Sequence, residues 1–317
     1  MKRGALIGGA IACAVVAGMS CVGDSSTTDG GTDGTVDQSS ADQLAVDVGG
    51  DAGPCDLTKP FGPSTLIPSP NNASGSLTAD ELNLFYSFRV DAGPYEIYTA
   101  TRLQSTAAFG TGTDVGAAVN NSPENTNIEP AISANGLTLV FTEGCPAGQL
   151  GNCTTGSFYD LVYSTRGSLS SPWAAATVVP NVNSPQDEHH AFLRADGKAL
   201  YFTSTRGEPN GDLYVSTINA GAFSAPGQLA ELNTTGTEDN AAVTQDGLMV
   251  FWSSDRGGGQ GGLDIWMATR TDTQSLFQNP MNVSELNTAG NDRVTGVSPN
   301  GCRLYFSSSG FRYADRP

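Results

Sequence analysis

The stretch Thr237–Arg270, TEDNAAVTQDGLMVFWSSDRGGGQGGLDIWMATR, recurs in recognisable form along most of the chain, and this repetition restricts the fold more than any other feature. It opens with polar Glu238-Asp239-Asn240, passes through a small apolar segment, turns at Asp246-Gly247 and returns as the apolar run Leu248–Trp252. A Gly-rich turn follows, then the amphipathic run Leu263–Thr269. Asp-Gly between two short apolar runs is a strong hairpin signal, and the pattern predicts a type I′ turn, because Gly adopts positive φ without strain. Each copy is therefore a small antiparallel meander. One meander cannot bury its own faces, so the copies must stack on one another.

Four turns mark the clearest copies. Asn135-Gly136 precedes LTLVF, Asp196-Gly197 precedes KALYF, Asp246-Gly247 precedes LMVFW and Asn300-Gly301 precedes CRLYF. The first copy, TADELNLFYS from Thr78, has Glu81 where the others have Gly. Third strands read YEIYTATR from Tyr95, YDLVYSTR from Tyr159, GDLYVST from Gly211 and LDIWMATR from Leu263. Closing elements begin at Phe109, Trp173, Phe223 and Phe277. Four strands recurring every roughly 50 to 60 residues is the period of a propeller blade.

The phase of the repeat says how the ring closes. The last copy, from Asn291 to Pro317, has no closing Phe/Trp element, whereas Phe61–Asn71, FGPSTLIPSPN, matches that element and stands before the first hairpin. The expected fold is all-β: a five-bladed β-propeller of four-stranded antiparallel blades, in which the N-terminal strand completes the last blade and removes an open sheet edge.

Upstream, Lys2 and Arg3 precede a small and apolar run from Gly4 to Met19. Residues 1–20 read as a secretory signal, too short to span a bilayer. The run ends before Cys21 and resembles a bacterial lipoprotein signal, which implies lipidation of Cys21; Gly18 and Met19 depart from the usual pattern, and ordinary signal cleavage is the alternative. Residues 21–54 are rich in Asp, Ser, Thr and Gly and contain no Lys, Arg or aromatic residue. Such a composition cannot offset chain entropy and predicts a disordered tether. Its aspartates lack EF-hand spacing. The propeller is expected over 55–317.

The formal net charge is −17, which argues against nucleic acid or anionic lipid as partners, since both require a basic footprint. Outside the signal and its Cys21 stand Cys55, Cys145, Cys153 and Cys302. Four cysteines in an oxidising compartment imply two disulfides with three possible connectivities; closeness in sequence favours Cys145 with Cys153, leaving Cys55 with Cys302. No C-x-x-C knuckle suggests a metal.

Inner strands of a propeller line a central channel, and polar residues at their starts collect around one mouth. Aligned on their turns, the copies place Asn72, Asn127, Glu188, Glu238 and Asp292 in one column, with Ser74, Glu129, His190, Asn240 and Val294 two residues on and so on the same strand face. The loops bearing Arg206 and Arg256, and the Cys145–Cys153 insertion, are expected at that mouth. The candidate ligand-binding face is Asn127, Glu129, Glu188, His190, Glu238, Asp292, Arg206 and Arg256. Gly257–Gly262 satisfies G-x-G-x-x-G but joins two strands and opens no helix, so it is a loop. Glu188-His189-His190 is not expected to bind zinc, because neighbours on a strand point to opposite faces and the chain has no third histidine. With no G-x-S-x-G, H-E-x-x-H or Walker loop, no catalytic residue, metal or cofactor is assigned.

The S-x-D/N-G turn, L-x-F strand, S-D-R-G-G and D-I-W/Y-x-A-T-R segments together resemble the WD-like repeats of bacterial TolB-type envelope propellers. The likeness covers Phe61–Pro317 and is carried best by Asp196–Thr217 and Asp246–Arg270. It implies a periplasmic or surface propeller that binds proteins or cell-wall components, with no catalytic residue in the repeat. The expected function is a monomeric, non-catalytic envelope binding module for a protein or cell-wall glycan, touching the membrane only through a lipid anchor. The alternative is a glycoside hydrolase of the five-bladed arabinanase type, using inner-strand carboxylates among Glu129, Glu188, Glu238 and Asp292.

Overall fold

The computed structural model describes residues 54–144 and 159–317, which fall within a compact unit of Asp47–Pro317. The signal, Cys21, nearly all of the tether and the Cys145–Cys153 loop lie outside the described residues. Five antiparallel sheets form the ring; four have their four strands in sequence order, the fifth takes its outer strand from the N-terminal end, and blade 3 carries an additional short hairpin strand. The inner strands are Gly75–Leu77, Thr126–Ile132, Glu188–Leu193, Glu238–Val243 and Arg293–Val297, from blade 1 to blade 5. A 3-10 turn at Pro70–Asn72 is the only helical element among the described residues.

The ring closes as the repeat phase predicts. Thr65–Leu66 pairs with Phe311–Asp315 of blade 5, with Thr65 opposite Tyr313 and Leu66 opposite Arg312. Cys55 is disulfide-bonded to Cys302, tying the first described turn to the same blade. Apolar residues fill the seams between neighbouring blades. Phe251 and Ile265 of blade 4 meet Leu304 and Phe306 of blade 5, and Phe85 and Ile97 of blade 1 meet Leu139 and Phe141 of blade 2.

The hairpin turns differ in type from the sequence expectation. Only the glycine is left-handed, with φ 72, 69, 73 and 76° at Gly136, Gly197, Gly247 and Gly301. Gly247 N–H donates to Thr244 O at 2.8 Å and Thr244 N–H to Met249 O at 3.0 Å, a turn closed by one left-handed residue rather than a two-residue I′ turn. The cause is Asp246, whose carboxylate accepts from Thr244 Oγ1 at 2.6 Å and Leu248 N–H at 2.9 Å. That local cap supplies what the mirror-image turn would otherwise provide. Glu81 occupies the glycine position of blade 1 with φ 59°, so the first turn has the common geometry despite its side chain.

The D-I-W/Y-x-A-T-R arginine also has a structural role. Its guanidinium stacks on the closing aromatic of its blade: Arg102 on Phe109 at 4.5 Å, Arg166 on Trp173 at 4.4 Å, Arg270 on Phe277 at 4.3 Å. The Nε of Arg166 and of Arg270 donates to the carbonyl of the turn glycine, Gly136 or Gly247. Arg316 stacks in the same way on Phe61 at 4.3 Å, across the seam between chain ends.

Candidate functional site

Four inner strands carry a one-residue bulge at the same height: between Ile128 and Ala131, His189 and Phe192, Asp239 and Ala242, and Val294 and Gly296. Glu129, His190 and Asn240 occupy the bulge in blades 2, 3 and 4 with φ 56, 50 and 54°. A non-glycine residue in this region costs on the order of 1 kcal/mol or more, and such strain concentrates at functional sites. The bulge also re-aims side chains. His189 and His190, expected on opposite strand faces, instead bring their Nδ1 atoms to 2.7 Å.

Glu129, His190 and Asn240 line a central cavity of about 200 Å³ to which every blade contributes, with Ser74, Ser87 and Arg293 also on its wall. His190 lies between two carboxylates, with Nε2 2.8 Å from Glu129 Oε1 and Nδ1 2.6 Å from Asp239 Oδ1. Glu129 Oε2 accepts from Thr142 Oγ1 at 3.1 Å and from the His190 N–H at 3.0 Å. Asp239 is held by Thr203 Oγ1 at 2.9 Å and by Arg293 at 2.8 Å. Burial opposes charge on His190, but the flanking Asp239 and Glu129 outweigh it and push its pKa up to about 10. Burial likewise works against Glu129, yet His190 brings it down to about 2. Asp239 is held well below the usual carboxylate range against its burial, chiefly by His190. Burial and the charge on His190 push His189 down. The two flanking carboxylates favour the imidazolium form of His190, which links blades 2 and 4.

Of the eight candidate residues, the structure brings Glu129 and His190 together in the cavity. Glu188, Glu238 and Asp292 are fully buried and turn into their own blades. Glu238 accepts from Thr234 N–H at 2.6 Å, Thr234 Oγ1 at 2.7 Å and Ser254 Oγ at 2.8 Å, and pairs with Arg256 at 3.1 Å. Glu188 repeats this with Ser184, Ser204 and Arg206, the arginine at 2.8 Å. Asp292 accepts from Thr288 N–H at 2.6 Å. Arg206 stacks on Tyr214 at 5.0 Å and Arg256 on Trp252 at 4.9 Å. Asn127 is buried against Val119 O and Asn120. Asp239 and Arg293, which complete the cavity cluster, are not among the eight. Their sequence signal was the position directly after the aligned acids Glu238 and Asp292, which simple alternation assigns to the other strand face.

Two polar atoms on the cavity wall, Asn240 Oδ1 and Thr295 Oγ1, are buried without a hydrogen-bond partner. Buried groups of this kind cost about 1–3 kcal/mol when left unpaired, so the wall is prepared for polar contacts.

Similar architectures occur among solved structures. TolB from Acinetobacter baumannii is 18% identical over 80% of this chain and 54% of its own, with TM-score 0.45; this chain thus spans about half of that protein. A putative TolB from Agrobacterium tumefaciens is 15% identical over 76% of this chain and 73% of its own, with TM-score 0.44. A thermostable family-43 glycoside hydrolase is 12% identical over 81% of this chain and 90% of its own, with TM-score 0.47. These likenesses concern the fold alone. No protein-family profile and no curated protein matches the chain.

Proposed function

We propose that the protein is a non-catalytic binding module of the cell envelope, anchored through lipidated Cys21 and holding a protein or cell-wall glycan at the central cavity. The observation that carries this reading is the cavity wall: all five blades contribute to it, and it presents unpartnered Asn240 Oδ1 and Thr295 Oγ1 beside a half-exposed Arg293. A rigid scaffold that places polar groups around one concave opening is suited to recognition. The glycosidase alternative needs a carboxyl kept protonated to act as general acid. In this cavity the shifts run the other way, because Glu129 and Asp239 share His190 and are both held ionised. The acids Glu188 and Glu238 are occupied by their own loops and arginines.

The experiment compares retention of envelope proteins and of isolated cell-wall glycan by the parent and by an Arg293→Ala, Asn240→Leu variant. Retention by the parent and its loss in the variant is expected. Equal retention by both moves the site elsewhere, and release of reducing sugar by the parent replaces binding with glycoside hydrolysis.

A further inference from the structure

We infer that His189 Nδ1, His190 Nδ1 and Asp239 Oδ1 form a zinc site between blades 3 and 4, beside the central cavity that His190 lines. The two imidazole nitrogens face each other at 2.7 Å. Asp239 Oδ1 lies 2.6 Å from the His190 nitrogen and 3.9 Å from that of His189. Two ring nitrogens at this separation need something between their lone pairs, either one shared proton or one cation. Zinc bonds of about 2.0–2.1 Å in tetrahedral geometry place donor atoms roughly 3.3 Å apart. The three atoms reach that spacing with shifts of about half an ångström. Zinc would take the place of a proton shared among these atoms, and that proton would leave to solvent.

The surroundings match what a metal-binding histidine requires. The far nitrogen of His190, Nε2, meets Glu129 Oε1 at 2.8 Å, and Thr142 fixes that carboxylate at 3.1 Å. A carboxylate on the nitrogen opposite the metal sets the ring's tautomer and direction and strengthens it as a ligand. Asp239 is positioned by Thr203 and the Asn240 N–H, each at 2.9 Å, on its metal-facing oxygen, and by Arg293 on the other oxygen. Glu129, His189 and His190 also lie close enough to serve as a ligand trio, with donor atoms within 4.8 Å. The Asp239 trio fits better, because Glu129 is engaged at the far side of the His190 ring. Left-handed His190, φ 50°, is what allows two adjacent histidines to converge, so the strained bulge acquires a purpose. Three protein ligands leave a fourth position for a water or for a donor atom of whatever enters the cavity.

The inference stands apart from the binding reading, because its test reads the metal and not the ligand. The full chain, stripped with chelator, is titrated with Zn²⁺ by calorimetry and with Co²⁺ by visible absorption. About one Zn²⁺ per chain, a raised Tm and the d–d bands of tetrahedral Co²⁺ are expected. His189→Ala should weaken Zn²⁺ at least about 100-fold, and Glu129→Gln, which removes the carboxylate behind the His190 ring, about 10- to 100-fold. His189 is a quarter exposed, its side chain at 25%, so near-UV circular dichroism of its alanine variant should match the parent and keep the comparison valid. Absence of stoichiometric Zn²⁺ at micromolar concentration overturns the inference. So does a folded His189→Ala variant that binds Zn²⁺ as tightly as the parent, since the ion would then sit on the acidic N-terminal segment or elsewhere.

Discussion

Glu81, in the first hairpin turn, pairs at 2.8 Å with Arg303 of the last blade, across a sequence separation of 222. The same carboxylate holds Arg102 at 3.2 Å and accepts from the Tyr305 hydroxyl. Glu81 thus sits in the seam where the two ends of the chain meet, almost wholly buried. Removing one member of a buried ion pair costs about 3–5 kcal/mol because the partner charge is left uncompensated. Glu81→Ala should therefore lower unfolding free energy by about that amount in urea. Glu81→Gly should lose slightly less, since glycine relieves the left-handed backbone. A loss below about 1 kcal/mol for both would show that the seam does not depend on this pair.

Tyr305 gives the closure a pH signature. Burial first, and then the neighbouring Glu81, push its phenol well above the ordinary value near 10. A folded pKa above the unfolded one means that the stability from a neutral Tyr305 is complete below about pH 10 and declines above it, where only the unfolded chain ionises. Chemical denaturation between pH 9 and 11.5 should show this decline, and Tyr305→Phe should flatten it. Parallel curves for the two proteins would remove Tyr305 as the cause.

The fold was legible because its determinants are periodic and local. Alternating apolar strands, turn glycines and a displaced Phe61–Asn71 element set blade number and closure, and Thr65–Leu66 pairs where that phase requires. The site was legible only in part. Strand alternation placed Glu129 and His190 at the channel, but it cannot register a bulge that carries no Gly at the left-handed position, as at His190 and Asn240. The bulge brought His189 and Asp239 into the cluster. The acids at the strand starts looked equivalent to a ligand-facing ring in sequence. Their Ser and Thr partners four residues upstream, Ser184, Thr234 and Thr288, explain why they turn inward.

The arginine clamp predicts a second kind of stability effect. Arg270 stacks on Phe277 at 4.3 Å while its Nε holds the Gly247 carbonyl at 2.6 Å. Arg270→Lys keeps the charge but loses the planar fork, and should cost about 1–2 kcal/mol. Full recovery of stability by lysine in thermal unfolding would reduce the contact to charge alone.

The proposed lipid anchor is tested at Cys21. Cys21→Ser should move the protein from the detergent phase to the aqueous phase of an envelope extract, with the propeller's unfolding curve unchanged. Identical partitioning of parent and variant would instead indicate ordinary signal cleavage.

The last prediction separates residues that build blades from residues that face the cavity. Glu238 is fully buried and receives Thr234, Ser254 and Arg256 together, whereas the Arg293 side chain is 38% exposed at the cavity wall. Glu238→Gln keeps the shape but removes the charge that Arg256 and two hydroxyls address, and should cost about 2–4 kcal/mol of stability. Its effect on ligand retention, measured well below the unfolding transition, should be small. Arg293→Ala should do the opposite: a loss near or below 1 kcal/mol, because the exposed end of the pair is solvated, with clear loss of retention. Both variants are read in the same two assays, denaturant unfolding and retention of envelope components. If Glu238→Gln abolishes retention while the blade stays folded, the loops that bind Arg206 and Arg256 belong to the recognition surface, and the cavity wall alone does not account for binding.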